Sequence, residues 1–66
     1  MKVLVKFALN SSYYQNGIKQ ETFKNVQEVH YNYTDIFTGS NRLAIECADT
    51  SYIYNINDIA EIEISD

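Results

Sequence analysis

Proline and tryptophan are absent from this 66-residue chain, and cysteine, histidine and arginine occur once each. Each shortage excludes something. With Cys47 alone no disulfide can form within the chain, and a lone thiol suits a reducing, cytoplasmic setting. One cysteine and one histidine do not complete the four ligands of a structural zinc site unless carboxylates or a second chain contribute. No metal site and no cofactor are therefore expected. The two glycines, Gly17 and Gly39, form no phosphate-cradling loop. Nowhere do apolar residues run for the roughly 18 positions of a membrane span, and residues 1–20 lack the apolar core of a signal peptide. No membrane partner is expected. A chain this short makes one domain with a thin stability margin, for which self-association is the remedy left open. A homo-oligomer is the expectation.

Basic residues are also few. Residues 1–24 carry Lys2, Lys6, Lys19 and Lys24 against Glu21. Residues 25–66 carry Arg42 against eight carboxylates, and the chain as a whole has a net charge of −4. Nucleic-acid backbones are held by clustered lysine and arginine, so this balance argues against a nucleic-acid partner. What is abundant is Asn, Ile, Lys and Tyr, together 25 residues, all specified by A/T-rich codons. That usage resembles short proteins of AT-rich bacterial genomes and their phages.

Hydrophobic periodicity points to strands. Val3, Val5, Phe7 and Leu9 alternate with Lys2, Leu4, Lys6 and Ala8, the two-residue period of a half-buried strand over residues 2–9. Tyr13-Tyr14-Gln15 reads as a short extended piece before Asn16-Gly17, a dipeptide suited to a type I′ turn, and Ile18 to Phe23 returns from it. Further strands are expected at residues 27–34, 42–48, 52–56 and 60–64, with a bend near Lys24-Asn25. A short helix near residues 20–30 is the alternative, because Phe23, Val26 and Val29 lie three apart. The expected core is Val3, Val5, Phe7, Leu43, Ile45, Cys47, Ile56, Ile62 and Ile64.

These elements describe an all-β domain: a five-stranded, strongly bent antiparallel sheet or partly open barrel. The stretch from Tyr52 to Ile64 resembles the close of SH3-like and Sm-like barrels, where a strand, one tight helical turn and a short last strand follow one another. Such barrels mostly bind peptides or nucleic acids. The resemblance carries over no binding residues, because the aromatic and acidic loop pattern of the peptide binders and the RNA signature of the Sm type are both missing.

Catalytic chemistry finds little material. His30 falls opposite the apolar side of its strand and reads as a surface residue. Cys47 continues the inward series of Leu43 and Ile45 and lacks the basic surroundings of a reactive thiol. Glu61 and Glu63 share one face of a strand, as paired carboxylates or as solvated edge charges. Asp35, Asp49 and Asp58 sit where turns need aspartate. No catalytic residues are assigned, and an enzyme is not expected.

Tyrosine stands out instead. Tyr31 and Tyr33, and Tyr52 and Tyr54, lie two apart, and Tyr13-Tyr14 adjoins a loop. These six are the candidate binding residues, since tyrosine suits interfaces that are dry at one end and hydrogen-bonded at the other. Three functions fit. The first is a non-catalytic binding module or inhibitor of another protein, of the kind phages and mobile elements direct against host defence proteins. The second is a homo-oligomer that sequesters a small nucleotide-like ligand. The third is a structural or assembly component.

Overall fold

The computed structural model describes residues 1–66 as six strands in two three-stranded antiparallel sheets. In the first sheet β1 (Lys2–Phe7) lies between β2 (Gln20–Phe23) and β6 (Ile59–Ser65). Alternation along β1 sends Val3, Val5 and Phe7 inward, while Lys6 meets water on the other face. In the second sheet β4 (Asn41–Glu46) lies between β3 (Glu28–Thr34) and β5 (Ser51–Asn55). A 3-10 turn at Ile56–Asp58 then carries the chain from β5 into β6. This is the strand, tight turn and last strand expected at the end of the chain.

One bent segment joins the sheets. Phe23 ends β2 opposite Val3, and Asn25 takes a left-handed φ of 56°, a conformation asparagine tolerates better than most residues. Val26 is thereby turned inward and buried, and it exchanges backbone hydrogen bonds with Met1, Val26 N–H to Met1 O at 2.8 Å and the Met1 amino group to Val26 O at 2.9 Å. One residue later Gln27 N–H already donates to Glu46 O of the second sheet at 2.8 Å. The expected bend is thus present. It separates β2 from β3, and β2, inside the returning stretch Ile18 to Phe23, makes six short strands where five were expected. Residues 20–30 are extended on both sides of the bend and contain no helix.

The helical turn lies earlier, as α1 (Ser12–Gln15), where an extended piece was expected. Ser11 explains it. Its buried hydroxyl accepts from Tyr14 N–H at 3.2 Å and donates to Ala8 O at 2.7 Å, an N-cap that also ends β1 at Phe7 and leaves Leu9 in solvent. Asn16-Gly17 closes that turn and makes no type I′ hairpin, because Asn16 has φ −93° and only Gly17 is positive, at 92°. Gly17 N–H donates to Tyr14 O and Ile18 N–H to Tyr13 O, at 3.0 and 2.9 Å, the paired bonds of a Schellman cap.

The core fills the space between the sheets with Val3, Val5, Phe7, Phe23, Val26, Leu43, Ile45 and Tyr54. Cys47, Ile56 and Ile62 pack on its margin as half-buried residues. Ile64 does not belong to it. It pairs with Val3 on the inner face, but β6 is an edge strand, and Ile64 near its end stays 53% exposed. The core residues that periodicity missed are Phe23, Val26 and Tyr54. The first two flank the bend, and the third is a tyrosine whose hydroxyl can reach the rim.

Truncating fully buried Ile45 to alanine is expected to cost about 2–5 kcal/mol and leave the domain largely unfolded. Ile64→Ala should cost less than about 1 kcal/mol. Thermal melts of the two variants check the assignment, and equal losses would contradict it.

Candidate functional site

The six tyrosines do not form one surface. Tyr54 is buried, with its ring edge-on to Phe7 at 5.6 Å and to Phe23 at 6.4 Å. Tyr13 stacks on Phe7 at 4.5 Å and meets Tyr54 edge-on at 5.6 Å, and Tyr52 leans on Phe23 at 4.9 Å. These three close the space between the sheets. Tyr14, half-buried, also packs on the core and has the Lys19 ammonium 5.8 Å from its ring centre. The Tyr54 hydroxyl donates to Glu21 Oε2 at 3.0 Å, so its polar end is satisfied within the chain. Burial first, and then the adjacent Glu21 carboxylate, push its pKa well above the ordinary 10.0.

Tyr31 and Tyr33 are separated by a bulge. His30 pairs with Ala44 and Tyr33 with Arg42, so Tyr31 and Asn32 together oppose Leu43, and Asn32 takes a φ of 57°. The bulge places Tyr33 on the same outer face as His30, with their rings edge-on at 6.3 Å. Tyr31 is left 58% exposed. Of the candidate binding residues, Tyr31 is the one most open to a partner.

The most exposed apolar side chains in the molecule are Phe37, at 91%, and Ile36, at 86%. They sit in the loop between β3 and β4, which is densely bonded within itself. Asp35 N–H donates to Ser40 O at 2.8 Å and Gly39 N–H to Asp35 O at 2.7 Å. The Asp35 carboxylate accepts from Phe37 N–H at 2.9 Å, and Thr38 Oγ1 accepts from Ser40 N–H at 3.2 Å. Gly39 supplies the positive φ of 74° that reverses the chain. Behind the loop, the guanidinium of Arg42 lies 3.8 Å from Asp35 and 3.5 Å from Thr38 Oγ1. Arg42 Nε is buried with no hydrogen-bond partner, and the Asp35 carboxylate 3.8 Å away offsets its lost hydration only through charge. Turn formers therefore bend the loop, while Ile36 and Phe37, which no turn requires, point into water. In the sequence Asp35 marked a turn here, and nothing singled out the tip.

Two clefts open on the surface. The larger, about 420 Å³, is lined by Glu28, Glu46, Asp49, Thr50 and Ser51 among others, and the smaller, about 290 Å³, lies between Gly39–Asn41 and Asn55–Asn57. Both are polar. Glu61 and Glu63 are not paired with each other as an acid and a base: they hold Lys6 between them at 3.1 and 2.8 Å. Hydrogen bonds and charge from the two glutamates raise the Lys6 pKa, and Lys6 lowers that of Glu63. Cys47 is half-buried and its thiol faces the Lys24 carbonyl at 4.0 Å. The residues able to share a metal are Glu28, His30 and Glu46, whose ligand atoms all lie within 4.8 Å of one another. No helix is long and apolar enough to cross a membrane.

Comparison with protein-family models, with curated proteins and with solved structures gave no match.

Raised folded-state pKa values set an alkaline limit. The Tyr54 contribution is complete below its unfolded value of 10.0 and is lost as pH rises beyond it, and that of Lys6 is lost above 10.5. Tyr54→Phe should cost about 1 kcal/mol at neutral pH and flatten the fall of Tm above pH 10. Melts across that range check this; the same alkaline fall in both proteins would contradict it.

Proposed function

We propose that this chain is a non-catalytic protein-binding module that docks through the Ile36–Phe37 loop tip. One observation carries the proposal: the two most exposed apolar residues occupy the apex of a loop whose backbone is fixed by four internal hydrogen bonds. Burying both in a partner pocket would return about 3–6 kcal/mol of apolar transfer energy. A loop already ordered loses little entropy on docking. Exposed aromatic and aliphatic anchors of this kind dominate protein interfaces, and exposed Tyr31, on the strand leading into the loop, adds a further aromatic contact.

The competing readings have weaker support. The carboxylates that line the larger cleft would repel a nucleotide phosphate, and the cleft's lining is polar throughout apart from Cys47 and Ala48. A general base with an adjacent nucleophile is not present: Cys47 faces a backbone carbonyl, and His30 faces two carboxylates. A net charge of −4 favours a partner with a basic rim around its apolar pocket. An inhibitor that fills such a pocket, encoded by a phage or mobile element, is the form of this proposal that composition favours.

A photo-reactive phenylalanine analogue placed at position 37 should give a discrete adduct in cells, and the same analogue at exposed Thr22 should not. Excess native chain should compete the adduct away, whereas the Phe37→Asp chain should not compete despite an unchanged Tm. An adduct at twice the 7.6 kDa chain mass would identify the occupant as a second copy. Equal labelling from both positions would overturn the proposal.

A further inference from the structure

The outer face of the second sheet carries a cluster that the loop-tip proposal does not use. Glu28 and Glu46 are direct cross-strand partners, and His30 lies two residues beyond Glu28 on the same face. Like charges directly opposite each other in a sheet are destabilising. His30 Nε2 stands 2.8 Å from Glu46 Oε2 and 3.5 Å from Glu28 Oε1, so a single ring atom faces both carboxylates. One N–H can make one good hydrogen bond, and a singly charged imidazolium leaves the trio with a net negative charge. A divalent cation would serve all three donors and neutralise both glutamates.

We infer that Glu28, His30 and Glu46 form a binding site for a first-row divalent cation of the zinc type. Bonds of about 2.0–2.1 Å in a tetrahedral site hold neighbouring donor atoms about 3.3–3.4 Å apart. The separations from His30 Nε2, 2.8 and 3.5 Å, fall on either side of that value, and all three donor atoms lie within 4.8 Å of one another, so a shift of the exposed glutamate side chains by about half an ångström or more would complete the spacing. One nitrogen and two carboxylate oxygens suit zinc, whereas magnesium takes all-oxygen shells and keeps its waters. Two features support the site. The bulge at Tyr31-Asn32 begins directly after His30 and packs Tyr33 edge-on against its ring, which limits how the ring can turn. The larger cleft has Glu28 and Glu46 in its wall, leaving room for water or another molecule's donor in the fourth position. The trio was hidden in the sequence because Glu46 is 16 residues from His30 and reaches it only through the β3–β4 register.

Calorimetric titration of the whole chain with zinc chloride tests the site, with magnesium chloride as the comparison. One zinc per chain is expected, with affinity about tenfold or more weaker in His30→Ala and in Glu46→Gln, and unchanged in Glu63→Gln. Circular dichroism verifies that each variant is folded. On zinc addition the His30 Nε2 resonance should move while the other ring nitrogen stays protonated. Absence of zinc binding at about 1 mM, undiminished binding in folded His30→Ala, or an equal response to magnesium would each overturn the inference.

Discussion

The turn from Lys24 to Gln27 is the constraint on which the rest of the domain depends. Within four residues the chain leaves its pairing with β1 and takes up pairing with β4, and Val26 is buried at the corner between the sheets. A left-handed Asn25 makes the corner sharp enough. Since β3 starts where the corner ends, the corner also sets the register of the second sheet. That register in turn decides that Glu28 faces Glu46, that His30 falls beside them, and that the loop after Thr34 begins opposite Asn41.

A domain of this size has too few aliphatic residues to fill the space between two sheets, and aromatic rings make up the deficit. Tyr13, Phe7, Tyr54, Phe23 and Tyr52 run in contact from the helical turn to the edge of the second sheet. Tyrosine is usable here because the domain is thin: a ring can lie inside while its hydroxyl reaches the rim. Tyr54 does this, and Glu21 completes it. The same thinness exposes Ile64 at the end of an edge strand, although its period places it inward.

What could be read from the sequence followed from periodicity. The all-β class, the alternating faces of residues 2–7 and 42–46 and the bend near Asn25 rest on local pattern, and the tight turn before the last strand rests on the resemblance of Tyr52 to Ile64 to the close of SH3-like and Sm-like barrels. Three features did not. The helical turn at Ser12–Gln15 depends on Ser11 acting as a cap, and its Asn-Gly signal serves a helix end as readily as a hairpin. The bulge at Tyr31-Asn32 undoes the two-residue alternation that would set Tyr31 and Tyr33 side by side. The burial of Tyr54 was not legible either, because period alone does not separate a rim residue from a core one. At the candidate sites, Tyr31 was legible as an exposed aromatic. The Ile36–Phe37 tip and the Glu28–His30–Glu46 trio were not, since both are defined by tertiary placement.

Order in the loop gives the exposed pair its meaning. An apolar tip on a mobile loop would be a solubility liability; under the docking proposal, the bonds made by Asp35, Thr38, Gly39 and Arg42 pre-shape the tip for its partner. Backbone relaxation by NMR tests this most directly, through the order parameters of Ile36 and Phe37 on the fast timescale. The structure predicts values close to those of the strands, about 0.85, whereas values below about 0.6 would contradict a pre-shaped tip.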